Sequence, residues 1–388
     1  MVEGKRLIGV SLFSGCGGSD LGAKRAGVDV VFSNDCFTPA TNTYETFKSI
    51  IATDDTVVCG DDIRDINTFP PCDILIGCYP CQSFTMGGPR MPESDERTSL
   101  YKEFLRCLEQ TNPRYFVVEN VAGMQWLEQG RYLYEQIKAF SEAGQGYLVS
   151  FMSLNAKDYG VPADRKRIFL VGVRRDVGAY YWFPRPTHGL LSASQTPYAS
   201  HGEAIKALPL DCPGEYYHPE KEPFSWWFMS RNRKRAWNAP AYTVVSNWRH
   251  MTLHPASPTM HMVSSDWRNG SKQSWEFTQE YEHLSVSNDL PVLERPRRLS
   301  WRECALLQTF PSEIEPAGSV EAKYWQVGNA VPPLLMEHIV REITSGAGLR
   351  TNISPQYVSE QNFNAVLEAV NASKQAKLDF PEADGNGN

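Results

Sequence analysis

The first 35 residues constrain the fold more than any other stretch. Residues 7–13 form an apolar run of strand length, and three glycines crowd the turn at residues 14–18. Helix-forming residues follow, and a second apolar run at residues 28–32 leads to Asp35. Glycines let a backbone approach a ligand closely, and an acid about 20 residues after the turn suits a ribose hydroxyl. The unit predicts a doubly wound α/β fold that binds a nucleoside cofactor, although a plain structural turn is the alternative.

The same alternation continues to about residue 175. Ser19 or Asp20 is expected to cap the first helix, and Gly27 to end it. Strands that alternate with helices predict a mainly parallel sheet covered on both faces. The further helices are expected at residues 101–110 and 132–142, and the further strands at 115–118, 148–154 and 167–173.

A cysteine follows the predicted buried strand at residues 73–76. Pro80 ends this strand because proline has no N–H for the ladder, which places Cys81 on a loop at the strand end. Ligands of open α/β sheets bind at such ends. We interpret Cys81 as a nucleophile and residues 82–99 as a loop able to close over it. Cys78 and Cys81 could instead form a redox pair or half of a zinc site, or Cys81 could be a structural cysteine.

Three further charged residues lie near predicted strand ends. Glu119 ends the strand at 115–118, so it should share an edge of the sheet with Cys81; a structural salt bridge is the alternative. Arg165 and Arg167 enter the next strand two residues apart and should point to opposite faces. One of the two is expected to meet a substrate or Glu119, and the other to support a loop.

Charge is distributed unevenly along the chain. The net charge is −7, but residues 159–302 carry 19 Lys and Arg against 13 Asp and Glu. Residues 176–294 also hold seven of the ten Trp and seven of the eight His, with few helical patterns. We interpret this segment as a small, irregular β-rich domain that faces a polyanion, although chance asymmetry is the alternative. Its predicted contacts with phosphates of the polyanion are Arg231, Arg233, Lys234 and Arg235.

Other functional classes have little support. No apolar run approaches the ~18 residues of a membrane span, and the N-terminus lacks a signal-peptide pattern. Nine scattered cysteines favour reduced thiols and a cytoplasmic location. The histidines have no cysteine partners, so no metal is expected. A helix at residues 361–377 and a flexible tail are expected at the C-terminus.

Six motifs, taken in order, resemble those of the cytosine-5 DNA methyltransferase family. They cover about residues 1–175 and 298–340, and the segment between them falls where the family has its target-recognition domain. The resemblance therefore implies a catalytic domain at 1–175, a target-recognition domain at 176–297, returning motifs at 298–345 and a C-terminal helix and tail at 346–388. The motifs are Phe13-x-Gly15-x-Gly17-Gly18, Pro80-Cys81-Gln82, Glu119-Asn120-Val121, Arg165-x-Arg167, Arg298 to Pro311, and Gln326 to Val331.

The resemblance implies a Rossmann-like fold that uses S-adenosylmethionine and releases S-adenosylhomocysteine. Asp61 is an alternative to Asp62, because the acidic pair makes the alignment ambiguous. Ser11 departs from a common aspartate, Ala163 from a usual glutamine, and Cys78-Tyr79 from the more usual residues before Pro80. The implied cofactor-binding residues are Phe13, Gly15, Cys16, Gly18, Asp35, Asp62, Ile63, Pro80, Leu100, Asn329 and Val331.

The resemblance also implies a mechanism. The Cys81 thiolate attacks carbon 6 of a flipped-out cytosine in duplex DNA, and Glu119, paired with an arginine expected to be Arg165, acts at ring nitrogen 3. Gln82 and Ser83 would contact the DNA. A monomer in a restriction-modification system, without an obligatory protein partner, is expected. A tRNA-methylating branch of the family and a non-catalytic DNA-binding protein of the same fold remain alternatives.

Overall fold

Strands and helices alternate through the first 174 residues, as the sequence predicts. The computed structural model describes residues 6–80, 100–189, 195–264, 274–278, 280 and 291–352. Its strands are β1 (Leu7–Leu12), β2 (Val28–Asn34), β3 (Val57–Cys59), β4 (Ile74–Gly77), β5 (Tyr115–Val121), β6 (Tyr147–Asn155), β7 (Lys166–Arg174), β8 (Tyr180–Tyr181), β9 (Met260–Ser264), β10 (Ser274–Phe277) and β11 (Leu349–Arg350). Its helices are α1 (Gly18–Arg25), α2 (Thr38–Thr46), α3 (Lys48–Ile51), α4 (Tyr101–Thr111), α5 (Arg131–Glu142), α6 (His201–Ile205), α7 (Trp301–Leu307), α8 (Val320–Asn329) and α9 (Pro333–Thr344).

The main sheet has seven strands within the described residues, in the order β3-β2-β1-β4-β5-β7-β6. The first five strands of that order are parallel, whereas β7 runs antiparallel to both of its neighbours. The strand order reverses direction between β1 and β4, which leaves a crevice at their carboxyl ends. The predicted mainly parallel α/β fold is confirmed, with an antiparallel edge that the strand pattern did not reveal.

Both faces of the sheet are covered, which explains why its central strands are apolar without alternation. All of β4 is buried, yet Ile74 and Ile76 belong to one core and Leu75 to the other. Helix α9 packs against α1 on the first face, so the C-terminal segment returns to the N-terminal half. Gly22 permits this approach, because an added Cβ would collide with the Pro333 carbonyl.

The N-terminus of α1 differs from the expectation. Its cap is Gly17, in the left-handed region at φ +84°, and neither Ser19 nor Asp20 caps it. Asp20 instead lies inside the first turn and accepts hydrogen bonds from the hydroxyls of Ser11 (2.6 Å), Ser19 (2.9 Å) and Tyr44 (2.7 Å). The predicted cap is wrong because these three buried donors satisfy the carboxylate in the interior.

The variable segment after residue 175 has little regular structure in its described part. Besides α6, it contains β8 and the antiparallel pair β9–β10. Three of its aromatic rings pack against Arg298, the first residue of the returning motifs. The guanidinium carbon of Arg298 lies 4.6 Å from the Phe224 ring centre, 4.9 Å from that of Phe228 and 5.6 Å from that of Trp248. This fits the expected irregular β character.

Several predictions fall outside the described residues. These are Cys81, Gln82, Ser83, the rest of the loop at 82–99, and the helix at 361–377. Of the helices that can be described, none combines the length and the hydropathy that crossing a bilayer requires.

Candidate active site and cofactor cavity

A cavity of about 530 Å³ opens at the carboxyl ends of the parallel strands. Residues 13–15 reach it from the end of β1, Asp35 from β2 and Pro80 from β4. It therefore lies at the crevice where the strand order reverses, and its size is within the range of small-molecule sites. Glu119, at the end of β5, lines the same cavity, so the candidate acid and the candidate cofactor residues share one space.

Most of the predicted cofactor-binding residues line this cavity. Cys16 and Gly18 do not line it. Cys16 is buried in the core, and Gly18 lies so close to the Val331 carbonyl that an added Cβ would displace it. The structure favours Asp62 over Asp61 for the acidic position, because only Asp62 is at the cavity. The residues that line it are Phe13, Gly15, Asp35, Asp62, Ile63, Pro80, Leu100, Asn329 and Val331.

Backbone amides hold the Asp35 carboxylate in place. Its Oδ2 accepts from the Gly15 N–H at 2.8 Å and its Oδ1 from the Phe37 N–H at 2.8 Å. Burial raises the pKa of Asp35, and the two amides oppose that shift. Phe13, at φ +57°, adopts a backbone conformation that a bulky residue rarely takes, as strained residues at functional sites do. The glycine-rich turn and the acid are thus one hydrogen-bonded unit.

Asp62 is paired within its own turn. Its carboxylate accepts from the Arg64 side chain at 2.9 and 2.7 Å and from the Arg64 backbone N–H at 3.0 Å. These bonds lower the pKa of Asp62 to about 2, so the group is ionised throughout the physiological range. An ionised carboxylate can accept a hydrogen bond from a ligand N–H or O–H.

The candidate catalytic acid forms a buried ion pair with an arginine on the neighbouring strand. The Nε of Arg167 lies 2.9 Å from Oε1 of Glu119, and their side chains are only 15% and 8% exposed. Among the described residues, Oε1 has no hydrogen bond of good geometry. Burial raises the pKa of Glu119, and the charges of Arg167 and Arg165 oppose that shift. Burial therefore favours the protonated form of the Glu119 carboxyl group more than solvent would.

The expectation that Arg165 contacts Glu119 is wrong. Arg165 is fully buried and donates to the carbonyls of Val244 (2.9 Å), Gly328 (3.0 Å) and Ala330 (2.9 Å). It precedes β7, whereas Arg167 lies within it and pairs in register with Val121. Arg167 consequently meets the acid, and Arg165 supports loops.

The four residues predicted to contact DNA phosphates have unequal exposure. Arg231 is exposed and Arg235 is partly exposed, whereas Arg233 and Lys234 are 7% and 8% exposed. The Arg233 Nε donates to the Phe228 carbonyl at 3.0 Å. Arg233 and Lys234 are too buried to make the surface contacts that were expected of them. Both side chains would have to become accessible when DNA binds.

Sequence reasoning missed several lining residues. Phe37 and Trp325 are among them, and their ring centres are 6.4 Å apart. Asn120 donates to the Tyr79 carbonyl at 3.2 Å and so ties the end of β5 to the loop that leads to Cys81. Their adjacency to recognised motifs was the available signal, since Trp325 precedes Gln326 and Asn120 follows Glu119.

Comparison with known proteins agrees with this arrangement. The family model described as C-5 cytosine-specific DNA methylase matches residues 7–345. The chain is 34% identical to the type II methyltransferase M.BsuRI of Bacillus subtilis, over 87% of this chain and 79% of that protein. It is 35% identical to M.FnuDI of Fusobacterium nucleatum, over 86% of this chain and 93% of that protein.

A solved structure shares the fold. The Dnmt2 methyltransferase of S. pombe superposes with a TM-score of 0.57 at 17% identity, covering 88% of this chain and 99% of that one. With a family model that spans most of the sequence, the chain belongs to the C-5 cytosine-specific DNA methylase family and is a DNA (cytosine-5) methyltransferase.

Proposed function

We propose that the protein methylates carbon 5 of a flipped-out cytosine in duplex DNA, with S-adenosylmethionine as donor and Cys81 as a transient covalent nucleophile. The observation that carries the proposal is the shared cavity: Glu119, paired with Arg167, lines the same space as the candidate cofactor residues. Pro80, the neighbour of Cys81, also lines it. The candidate acid, the candidate donor site and Pro80, which precedes the proposed nucleophile, thus lie at one edge of the sheet.

The nucleophile is needed because carbon 5 of cytosine is too electron-poor to take a methyl group directly. In the proposed step the Cys81 thiolate bonds to carbon 6, and the ring electrons move toward carbon 5 and nitrogen 3. Carbon 5 then takes the methyl group as the methyl–sulfonium bond breaks. Solvent accepts the proton of carbon 5, and the electron pair left behind restores the ring double bond as the sulfur–carbon bond breaks and Cys81 leaves as a thiolate. The hydrogen bond from Asn120 to Tyr79 supports this role, because it fixes the backbone two residues before Cys81.

Glu119 would hold the proton that nitrogen 3 acquires during that attack. Its raised pKa favours the protonated form at the start of the step. Arg167 orients the carboxyl group and stabilises it once the proton has left. Arg165 touches neither partner and keeps the loops around residues 244 and 328–330 in position.

The cavity fits the donor that this chemistry requires. The Asp35 carboxylate, fixed by two backbone amides, suits a ribose diol, while Ile63, Pro80 and Leu100 offer apolar walls for a base. When bound, S-adenosylmethionine supplies an electrophilic methyl group on a sulfonium that leaves readily. Residues 13–15 and 329–331 would enclose it from the two remaining sides.

The substrate would be a specific site in double-stranded DNA, and the names of the relatives support a role in a type II restriction-modification system. Flipping the base costs a few kcal/mol, which contacts from the variable region would offset. We retain the division into a catalytic domain (1–175, with 298–345) and a target-recognition domain (176–297) as part of the proposal, together with a monomeric state.

A mechanism-based trap tests the proposal. A duplex that carries 5-fluorocytosine at the target should form a covalent complex, because fluorine cannot leave carbon 5 as a proton does. Peptide mass spectrometry should place the adduct on Cys81, and Cys81→Ser should bind DNA without forming it. Active enzyme without an adduct would refute the covalent route, and methyl transfer to tRNA in preference to duplex DNA would refute the substrate.

A further inference from the structure

A tryptophan that no motif includes forms part of the cavity wall. Trp325, on α8, is 38% exposed and lines the cavity together with Asp35 and Phe37. We propose that Trp325 is a cofactor-binding residue whose indole contacts the nucleoside half of S-adenosylmethionine. The inference rests on the proposed function and adds a residue from the C-terminal segment to the nucleoside subsite.

The position of Trp325 is fixed by its neighbours in sequence. The Tyr324 hydroxyl donates to the Leu299 carbonyl at 2.6 Å, and the Gln326 Oε1 accepts from the Thr43 hydroxyl at 2.6 Å. Both flanking side chains are buried, whereas the indole between them is not. Helix α8 therefore cannot rotate to bury Trp325 without breaking these two bonds, and the ring stays at the cavity.

The neighbours of the indole identify the half of the ligand that it meets. Its ring centre is 6.4 Å from that of Phe37, whose backbone N–H donates to the Asp35 carboxylate. Asp35 is the candidate ribose partner, so the two rings flank the nucleoside rather than the methionine portion. Aromatic faces bind planar bases with little loss of conformational freedom. An exposed indole at this position can therefore stack on the base of the nucleoside.

The packing alternative is weaker. Trp301, on α7, is 1% exposed and is an example of a tryptophan that packs in the core of this protein. Trp325 keeps more than a third of its surface accessible beside a cavity, and Phe37 is its one ring partner among the described aromatic pairs. A ligand in the cavity would cover the exposed part of the indole.

Equilibrium binding without DNA tests the inference. S-adenosylhomocysteine and adenosine are titrated by calorimetry, adenosine by displacement if it binds weakly, into wild type, Trp325→Ala, Trp325→Phe and Trp182→Ala. Losing one aromatic contact should weaken both ligands about five- to tenfold in Trp325→Ala, and Trp325→Phe should retain most of the affinity. Trp182 is 50% exposed and outside the cavity, so its variant should bind as wild type does.

The outcomes separate this inference from the proposed function. Wild type that binds no S-adenosylhomocysteine would refute both. Normal wild-type binding with unchanged Trp325→Ala binding would refute the inference alone. Loss of S-adenosylhomocysteine affinity with adenosine unaffected would also overturn it, because the contact would then be to the amino-acid half.

A fluorescence measurement tests the same contact without the Ala variant, in case Trp325→Ala fails to fold. The tryptophan emission of wild type should change when S-adenosylhomocysteine is added, and that change should be largely lost in Trp325→Phe while the affinity is retained. The same emission change in both proteins would contradict the contact.

Discussion

The arginines at the acid site near the end of β5 and those in the variable segment have different kinds of partner. Arg167 faces a carboxylate, Glu119, in a register that the β5–β7 ladder sets. In the variable segment, Arg231 and Arg249 lie over the rings of Trp227 and Trp248, and neither has a carboxylate within ion-pair distance among the described residues. The arginine at the reaction site is paired with a carboxylate, whereas these two exposed arginines are not. Other arginines of the variable segment do form ion pairs, Arg295 with Glu220 and Arg297 with Glu303.

The two regions differ in the interactions that position their charged side chains. At the sheet edge, backbone hydrogen bonds place the side chains, and burial sets their protonation. In the variable segment, aromatic rings orient the cations, and Arg231 and Arg249 remain exposed. Arg165 joins the two regions, since it donates both to Val244 in the variable segment and to residues 328 and 330.

The largest expected effect comes from removing the acid. Glu119→Gln keeps the shape of the side chain but cannot supply a proton, so methyl transfer should fall roughly 10²- to 10⁴-fold. Tritiated methyl incorporation measures the rate, and a mobility-shift assay should show unchanged DNA affinity. If the variant's rate were within threefold of the wild-type rate, Glu119 would not be the catalytic acid.

Arg165→Met should have the next largest effect, and that effect should be a loss of unfolding free energy. Three carbonyls would lose their buried donor, which costs roughly 3 kcal/mol of unfolding free energy in urea titrations. Arg167→Lys is the matched control, since it keeps a cation beside Glu119 and does not touch the carbonyls that Arg165 holds, so it should mainly lower activity. Equal stability losses in the two variants would contradict the separation of roles.

The pH dependence of the rate sharpens the assignment of Glu119. Since burial raises its pKa and its protonated form is the active one, the rate should decline as pH rises through that pKa. The expected slope is about tenfold per pH unit on the alkaline limb, measured with saturating DNA and donor. This limb should be absent in Glu119→Gln, and a limb that persists unchanged would assign the titration to another group.

The smallest expected effects come from removing cations that lie over the aromatic rings of the variable segment. Arg298→Met removes a buried cation from three rings and should lower unfolding free energy by about 1–2 kcal/mol. Arg249→Met, at an exposed site over Trp248, should leave stability nearly unchanged but weaken DNA binding and flatten its salt dependence. An unchanged salt slope would mean that this segment is not a phosphate-contacting surface.

Local patterns predicted most of the fold. The helices at 101–110 and 132–142 and the strands at 148–154 and 167–173 agree with α4, α5, β6 and β7 to within a residue or two. The Ser-x-x-Glu pattern at residues 300–303 likewise predicts a capping box at the start of α7, and both of its hydrogen bonds are formed. These features depend on residues close in sequence, where periodicity and capping chemistry are sufficient.

Long-range contacts were less predictable. The sequence placed Glu119 and the two arginines near one another but did not select Arg167, because that choice depends on the antiparallel register of β5 and β7. The burial of Arg233 and the cavity position of Trp325 likewise depend on which segments pack around them.

The sequence by itself determined that this is an α/β protein with a glycine-rich turn and an acid 20 residues later, because each is a local pattern. Only the tertiary structure decided which arginine meets the acid, which cations remain exposed and which rings enclose the cavity. Those outcomes depend on contacts such as Arg165 with Gly328, 163 residues apart, which no local propensity specifies.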